Sequence, residues 1–232
     1  MKLKINTPVG PYYYKFVPIY NGLKPIDKVI ARENLLLFKK IMDEQKLSFL
    51  LAYGSLLGAV REKDFISHDE DIDLMMAKED MPKFLSILFV LRDAGFEVVR
   101  YERRGFLSIM RKGEYIDFYF FHEYEADNRL IKCCMDVCPK SFLTEKTTIP
   151  FQGAEFEVSK DFKKYLEFNY GKNWMQPVTK FNFGLSAIAR LKSKMAQYVK
   201  ALIPYRLTEK LQARKEQGYT KKCLDKVYNF LS

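Results

Sequence analysis

Four of the five residues in Asp69-Glu70-Asp71-Ile72-Asp73 are acidic, and the run leads straight into the apolar Leu74-Met75-Met76. Like charges packed this tightly repel one another, and a solvated loop would not place them beside a buried strand. A bound divalent cation removes the conflict, because hard metals take carboxylate oxygens. Side chains alternate faces along a strand, so a strand over 71–76 puts Asp71 and Asp73 on one face and Ile72 and Leu74 in the core. The two carboxylates would then stand about 6.5 Å apart, two strand rises. That is within reach of one or two Mg²⁺ ions, or Mn²⁺ in their place. Asp117 is the third candidate ligand, the one acid in Tyr115-Ile116-Asp117-Phe118-Tyr119-Phe120-Phe121. An aspartate among so many aromatics needs a partner or a metal, unless it lies on a solvated strand face.

Upstream, the apolar run Phe49 to Tyr53 stops at Gly54-Ser55, and a short apolar segment follows as far as Arg61. This predicts a buried strand, a turn, and a brief helix through Val60 with Ser55 as its N-cap. Free backbone N–H groups and the dipole at such a helix start favour a phosphate. Gly54 and Ser55 are therefore candidate phosphate contacts.

The elements that must position these residues follow from periodicity. Apolar residues from Val29 to Met42 recur at helical spacing, which predicts a helix over 26–45. A second helix is expected over 79–94, ended by Gly95. Three strands follow, over 96–101, 106–111 and 115–121, punctuated by Arg103-Arg104-Gly105 and Lys112-Gly113. A hairpin is expected over 143–158 around Gln152-Gly153, then a helix over 160–169 capped by Ser159 and closed by Gly171. Residues 1–25, with four prolines and Tyr12-Tyr13-Tyr14, read as an extended aromatic arm packed on the domain.

Among the 232 residues, 48% are apolar and 15% aromatic, ample for a packed core and against intrinsic disorder. No apolar run approaches the roughly 18 residues of a membrane span, and Met1 to Pro11 is too polar for a secretory signal. Cys133, Cys134 and Cys138 lack the paired spacing of a zinc ribbon, which favours reduced, buried thiols over a metal site. These features together predict a cytoplasmic chain. The net charge of +10 is uneven: residues 185–232 hold eleven Lys or Arg against three acids, and the rest 28 against 26. In that tail Leu185, Ile188, Leu191, Met195, Val199 and Leu202 predict a basic amphipathic helix ending near Pro204. Leu224, Val227, Tyr228 and Leu231 predict another segment after Gly218. The tail suits an anionic membrane surface, nucleic acid phosphates, or a solvated basic face on packed helices. Nucleic acid is not the partner expected.

Gly-Ser, a spacer of fifteen residues, then Asp71-x-Asp73 with the later Asp117 resembles the nucleotidyltransferase superfamily. More specifically, Tyr53-Gly54-Ser55-Leu56-Leu57-Gly58-Ala59-Val60-Arg61, Asp64-Phe65-Ile66 and Asp69-Glu70-Asp71-Ile72-Asp73-Leu74 resemble the signature of the LicD family, whose relatives include fukutin and the fukutin-related protein. Tyr115-Ile116-Asp117-Phe118 resembles that family's later strand acid. Tyr165-Leu166-Glu167, Tyr170-Gly171, Trp174-Met175 and Pro177 resemble its closing motif. The similarity spans residues 26–180. The chain has Ser67-His68 where the family usually has Pro-Trp, and Glu70 where a third Asp is common.

The resemblance implies an α+β fold, a nucleotidyltransferase-like mixed β-sheet core with flanking helices. The organisation expected is an arm (1–25), a catalytic domain (26–184) and a basic helical extension (185–232). It also implies a Mg²⁺-dependent phosphotransferase of the lipopolysaccharide and cell-surface glycan class. Such an enzyme moves a phospho-alcohol, phosphocholine from CDP-choline above all, to a hydroxyl of a glycan or its lipid-linked precursor. Asp71, Asp73 and Asp117 would be catalytic metal ligands, with Asp117 activating the acceptor hydroxyl. Gly54, Ser55, Arg61, His68 and Asp69 would line the substrate site, with peripheral contact at the inner face of an anionic membrane. His68 reads as a base or substrate contact, or as a structural histidine. A nucleotidyltransferase acting on a small molecule or RNA, and a non-catalytic basic adaptor of the same fold, remain as alternatives.

Overall fold

The computed structural model describes residues 2–18, 25–177, 187–203 and 205–232. The aromatic arm is a hairpin: β1 (Lys2–Thr7) pairs antiparallel with β2 (Gly10–Lys15), turning at Gly10, whose φ is +126°. Strand alternation buries Tyr12 and Tyr14 and leaves Tyr13 exposed. The Arg92 guanidinium lies 3.8 Å from the Tyr12 ring centroid, which ties the hairpin to the domain. Residues 19–24 of the expected arm lie outside the described residues.

Helix α1 (Lys28–Glu44) starts at Asp27, whose carboxylate accepts from the Val29 and Ile30 N–H groups. Its stripe of Ala31, Leu35, Phe38 and Met42 is fully buried. Strand β3 (Leu50–Leu51), helix α2 (Tyr53–Arg61) and strand β4 (Ile72–Ala77) follow. The single helix expected over 79–94 is two, α3 (Met81–Ser86) and α4 (Leu88–Asp93). At their junction the Ile87 N–H bonds the Phe84 carbonyl three residues back, tightening that turn.

Strands β5 (Glu97–Glu102), β6 (Phe106–Arg111) and β7 (Glu114–Tyr124) form an antiparallel meander. Strand β7 outruns it, and its far end pairs with β8 (Asp127–Cys133), which pairs in turn with β9 (Asp136–Pro139). Helix α5 (Ser141–Thr144) leads into the hairpin of β10 (Lys146–Phe151) and β11 (Ala154–Ser159). Helix α6 (Phe162–Tyr170) follows; Asp161, not Ser159, takes its N-cap position, because Ser159 is buried as the last residue of β11.

The order β3-β4-β7-β6-β5 defines the central sheet, with β8 and β9 continuing from β7. Only the β4–β7 pair is parallel among these strands, so the class is α+β with a mixed sheet. Phe38, Phe84 and Phe118 meet beneath it, with ring centroids 4.8–6.4 Å apart.

Helices α7 (Ala187–Leu202) and α8 (Tyr205–Leu231) complete the chain. Leu185, Pro204 and the boundary expected at 184/185 lie outside the described residues. Gly218 does not interrupt α8, although an interior glycine costs about 1 kcal/mol. The end of α8 is fixed by packing: Val227 is fully buried, and the Phe230 ring lies 5.3 Å from Phe168 and 6.0 Å from Phe142. All four cysteines are free thiols, with Cys133 and Cys138 buried.

Gly58 sets the distance between α2 and the loop before β4. A β-carbon there would lie 2.5 Å from the Asp64 carbonyl oxygen and 3.2 Å from the Ile66 nitrogen. Both neighbours are backbone, so the loop must move. Gly58→Ala is expected to cost about 1–3 kcal/mol, read as a drop in thermal midpoint.

Candidate metal and nucleotide site

Strands β4 and β7 run side by side with Asp73 opposite Asp117 in register. Asp71, just before β4, shares their face, and ligand oxygens of all three acids lie within 4.8 Å of one another. Asp73 and Asp117 are almost fully buried, 8% and 3% exposed. Burial is the main force raising the Asp73 carboxyl well above its ordinary range, helped by Asp69 and Asp117. Asp71 is raised the same way, by burial and then by Asp73 and Asp117. For Asp117 burial also raises, while Arg100 and Ser108 pull back. Three acidic side chains held this close with so little water fit a divalent cation, whose charge would offset both repulsion and desolvation. Among the described residues, this is the group suited to hold one.

The Gly-Ser turn does a different job locally from the expected cap. Helix α2 begins two residues earlier than Ser55, with Ala52 extended at its N-cap position and no side-chain cap. Ser55 is buried in the first turn, where its hydroxyl accepts from the Asp73 N–H at 2.9 Å. The Gly54 N–H donates to the Asp73 carboxylate at 3.1 Å, and the Ala52 N–H donates to the Asp73 carbonyl at 3.1 Å. Helix start and acidic strand are thus fastened together through Asp73. The early start depends on Tyr53, which opens the helix at φ +37°, a region few non-glycine residues occupy.

Three positioning residues were not legible in the sequence. Arg100 on β5 donates to Asp117 at 2.8 Å and to the Ser108 hydroxyl at 3.1 Å, and the Ser108 hydroxyl donates to the other Asp117 oxygen. Tyr119, two residues beyond Asp117 on the same face, lies close enough to Asp73 and Asp117 for their charge to act on its hydroxyl, and its ring packs on Tyr53 at 4.9 Å and Phe106 at 5.0 Å. Ser108 alone left a trace, a hydroxyl within the apolar run Phe106-Leu107-Ser108-Ile109-Met110.

Beside the triad lies a cleft of about 340 Å³ lined by Gly54, Arg61, His68, Asp69, Asp73, Tyr170 and Trp174, among others. Five of the predicted site residues therefore share one wall system, with residues of the closing motif opposite. Arg61 is buried; its Nη1 donates to the Trp174 carbonyl at 3.1 Å and its Nη2 pairs with Glu62 at 2.9 Å. Its buried Nε has no partner among the described residues. Burial raises the Asp69 carboxyl to about 6. A β-carbon on Gly54 would come within 2.1 Å of that carboxylate, so glycine is what lets Asp69 approach. Burial lowers His68 below the usual imidazole range. Tyr165 joins the two halves by accepting from the Tyr53 N–H at 3.3 Å.

The chain is similar in part to several known proteins. "Lipopolysaccharide cholinephosphotransferase LicD" of Haemophilus influenzae is 36% identical over 52 residues, 22% of this chain and 20% of that protein. "Ribitol-5-phosphate transferase FKTN" of Homo sapiens is 29% identical over 158 residues, 64% of this chain and 34% of that protein. The chain thus matches about a third or less of the length of either relative. The solution structure of the antibiotic-resistance factor ANT(2'')-Ia superposes with a TM-score of 0.45 at 16% identity, covering 88% of this chain and 96% of that one. Residues 46–188 match the model of the LicD/FKTN/FKRP nucleotidyltransferase domain, and the chain belongs to the LicD family.

Proposed function

We propose that this protein is a Mg²⁺-dependent transferase of a phospho-alcohol. The donor favoured is CDP-choline, and the acceptor is a hydroxyl on a cell-surface glycan or its lipid-linked precursor. The observation that carries this reading is the triad of Asp71, Asp73 and Asp117 bordering a cleft that holds the buried, part-satisfied Arg61. The names of the two relatives, a cholinephosphotransferase and a ribitol-5-phosphate transferase, support the same class. A divalent cation bound by the triad would neutralise phosphate charge and acidify a hydroxyl near it. The chain's own groups divide the remaining work. Arg61 pairs a donor phosphate oxygen, while Gly54 and Ser55 hold Asp73 at the phosphate end. Arg100 and Ser108 hold Asp117 where it accepts the proton of the acceptor hydroxyl. His68 and Asp69 line the donor side.

A screen of CDP-choline, CDP-ethanolamine, CDP-ribitol and CDP-glycerol with Mg²⁺, scored by CMP release, tests the proposal. CMP release with one of these donors supports it. Pyrophosphate release from a nucleoside triphosphate, with no CMP from any CDP-alcohol, overturns it in favour of nucleotidyl transfer.

A peripheral place on an anionic membrane is part of the proposal. On α7, Ile188, Leu191, Met195, Val199 and Leu202 are each more than half exposed. Their spacing puts them on one stripe, with Lys192 and Lys194 among them in sequence on the same helix. Such a face suits the headgroup boundary of a bilayer with negative charge. No helix among the described residues is long and apolar enough to cross a membrane. The protein is expected to float with vesicles containing phosphatidylglycerol and not with pure phosphatidylcholine. Leu191→Glu with Met195→Glu should abolish flotation; unchanged flotation would remove the membrane from the proposal.

A further inference from the structure

A second cleft, of about 360 Å³, shares the Tyr170 side chain with the first and no other lining residue. Its walls come from α6, β9 and α8, and both Tyr53 and Tyr170 face it. Tyr170 lines both clefts. The Tyr53 ring is 4.9 Å from Tyr119, which stands two residues from Asp117 on β7 and close to Asp73. The second cleft therefore adjoins the triad without overlapping the Arg61 side. A transferase with two substrates needs two such adjoining places, because the reacting groups must be held in contact.

The lining selects a chemical class. Its size falls in the range of small-molecule sites, about 300–1,000 Å³. Aromatic faces such as those of Tyr170 and Tyr219 suit the C–H face of a sugar ring, and Asn169 offers hydrogen bonds to hydroxyls. Charge then narrows the class. Lys222 and Lys226 stand at the cleft against one acid, Asp136, which the Tyr53 hydroxyl engages at 3.3 Å. Lys226 lies 4.2 Å from the Phe168 ring centroid, and Asp136 is the carboxylate near enough to act on it. Two ammonium groups beside aromatics suit an anion on a sugar and repel a quaternary ammonium.

We propose that this cleft binds the acceptor as an anionic sugar, its ring against Tyr170 and Tyr219 and its phosphate or carboxylate at Lys222 and Lys226. The proposal rests on the phospho-alcohol transferase reading. Helix α8 lies beyond residues 46–188, the part matched by the family. One wall of the acceptor site, and the charge it demands, would then belong to the chain's own extension.

The test titrates the full chain with glucose 1-phosphate, glucuronate, glucose and inorganic phosphate, followed by NMR. In the same samples the quench of Trp174, the single tryptophan, is followed with CDP and Mg²⁺. An anionic sugar is expected to bind at least about tenfold more tightly than glucose or inorganic phosphate, a difference of about 1.4 kcal/mol. Comparing glucose 1-phosphate with glucuronate tells a phosphate from a carboxylate. The double variant Lys222→Glu, Lys226→Glu should lose at least tenfold in that binding while the Trp174 response to CDP stays unchanged. Lys222→Glu alone, at an exposed residue, serves where the double variant fails to fold. No preference for the anionic sugar, or full binding by the variants, overturns the proposal. Loss of the CDP response in the unaltered protein instead overturns the transferase reading.

Discussion

Asp73→Asn is expected to abolish transfer while making the metal-free protein more stable. The substitution removes one of three ligands whose oxygens lie within 4.8 Å of one another, so a bound cation loses both a ligand and a charge. Loss of one preorganised electrostatic contact costs about 10²–10³ in rate; a metal ligand should cost at least the upper end of that range. Stability moves the other way. Asp73 is buried with its carboxyl raised by that burial and by Asp69 and Asp117, and its own charge raises Asp71. Asparagine keeps an acceptor for the Gly54 N–H and removes the repulsion. A gain of about 1 kcal/mol would raise the midpoint by roughly 2–4 °C for a chain of this size. CMP release and thermal denaturation without metal, on the same preparation, check both halves. An active Asp73→Asn protein would remove the triad from the chemistry.

The second large effect concerns Mg²⁺ and pH together. A ligand present at 100 times its dissociation constant stabilises the folded state by about 2.7 kcal/mol, or about 5–11 °C here. That stabilisation should grow with pH, and the sign follows from linkage. Asp71, Asp73 and Asp117 have folded-state pKa values above their unfolded value of 3.8. The folded metal-free state therefore holds more protons than the unfolded chain, and its stability falls as pH rises above about 4. For Asp69 the window runs from 3.8 to about 6. Metal competes with these protons, so Mg²⁺ should raise the midpoint more at pH 8 than at pH 5. In Asp71→Asn, Asp73→Asn the shift should vanish at both. A shift that is equal at the two pH values would sink the proton-linked account.

The acids were legible in the sequence because alternation is a local rule. Asp71 and Asp73 had to share a face once residues 71–76 were a strand, and Asp117 stood out as the lone charge among aromatics. The partners of Asp117 were not legible, since Arg100 and Ser108 reach it through the β5–β6 and β6–β7 registers, which only the folded sheet sets. Ser55 was misplaced as a cap for a related reason. The helix opens at Tyr53 in a left-handed conformation, and a tyrosine carries no sign of that. Gly218 misled in the opposite direction, because α8 runs through it to an end fixed by the packing of Val227 and Phe230. Strands β8 and β9 escaped notice because they find their partners only where β7 outruns the main sheet.

The parallel pairing of β4 with β7 has a consequence for how the protein assembles. Every residue of the α3–α4 helices and the β5–β6 meander lies between these two strands in the chain. Their union thus closes a long loop, a contact whose entropy cost must be met before the pairing repays it. A slip of one residue would turn Asp117 to the opposite face of the sheet. Until that register closes correctly the three acids do not meet, so a cation held by them would bind finished molecules only. It can act as a proofreader of the native register rather than as a nucleus for folding.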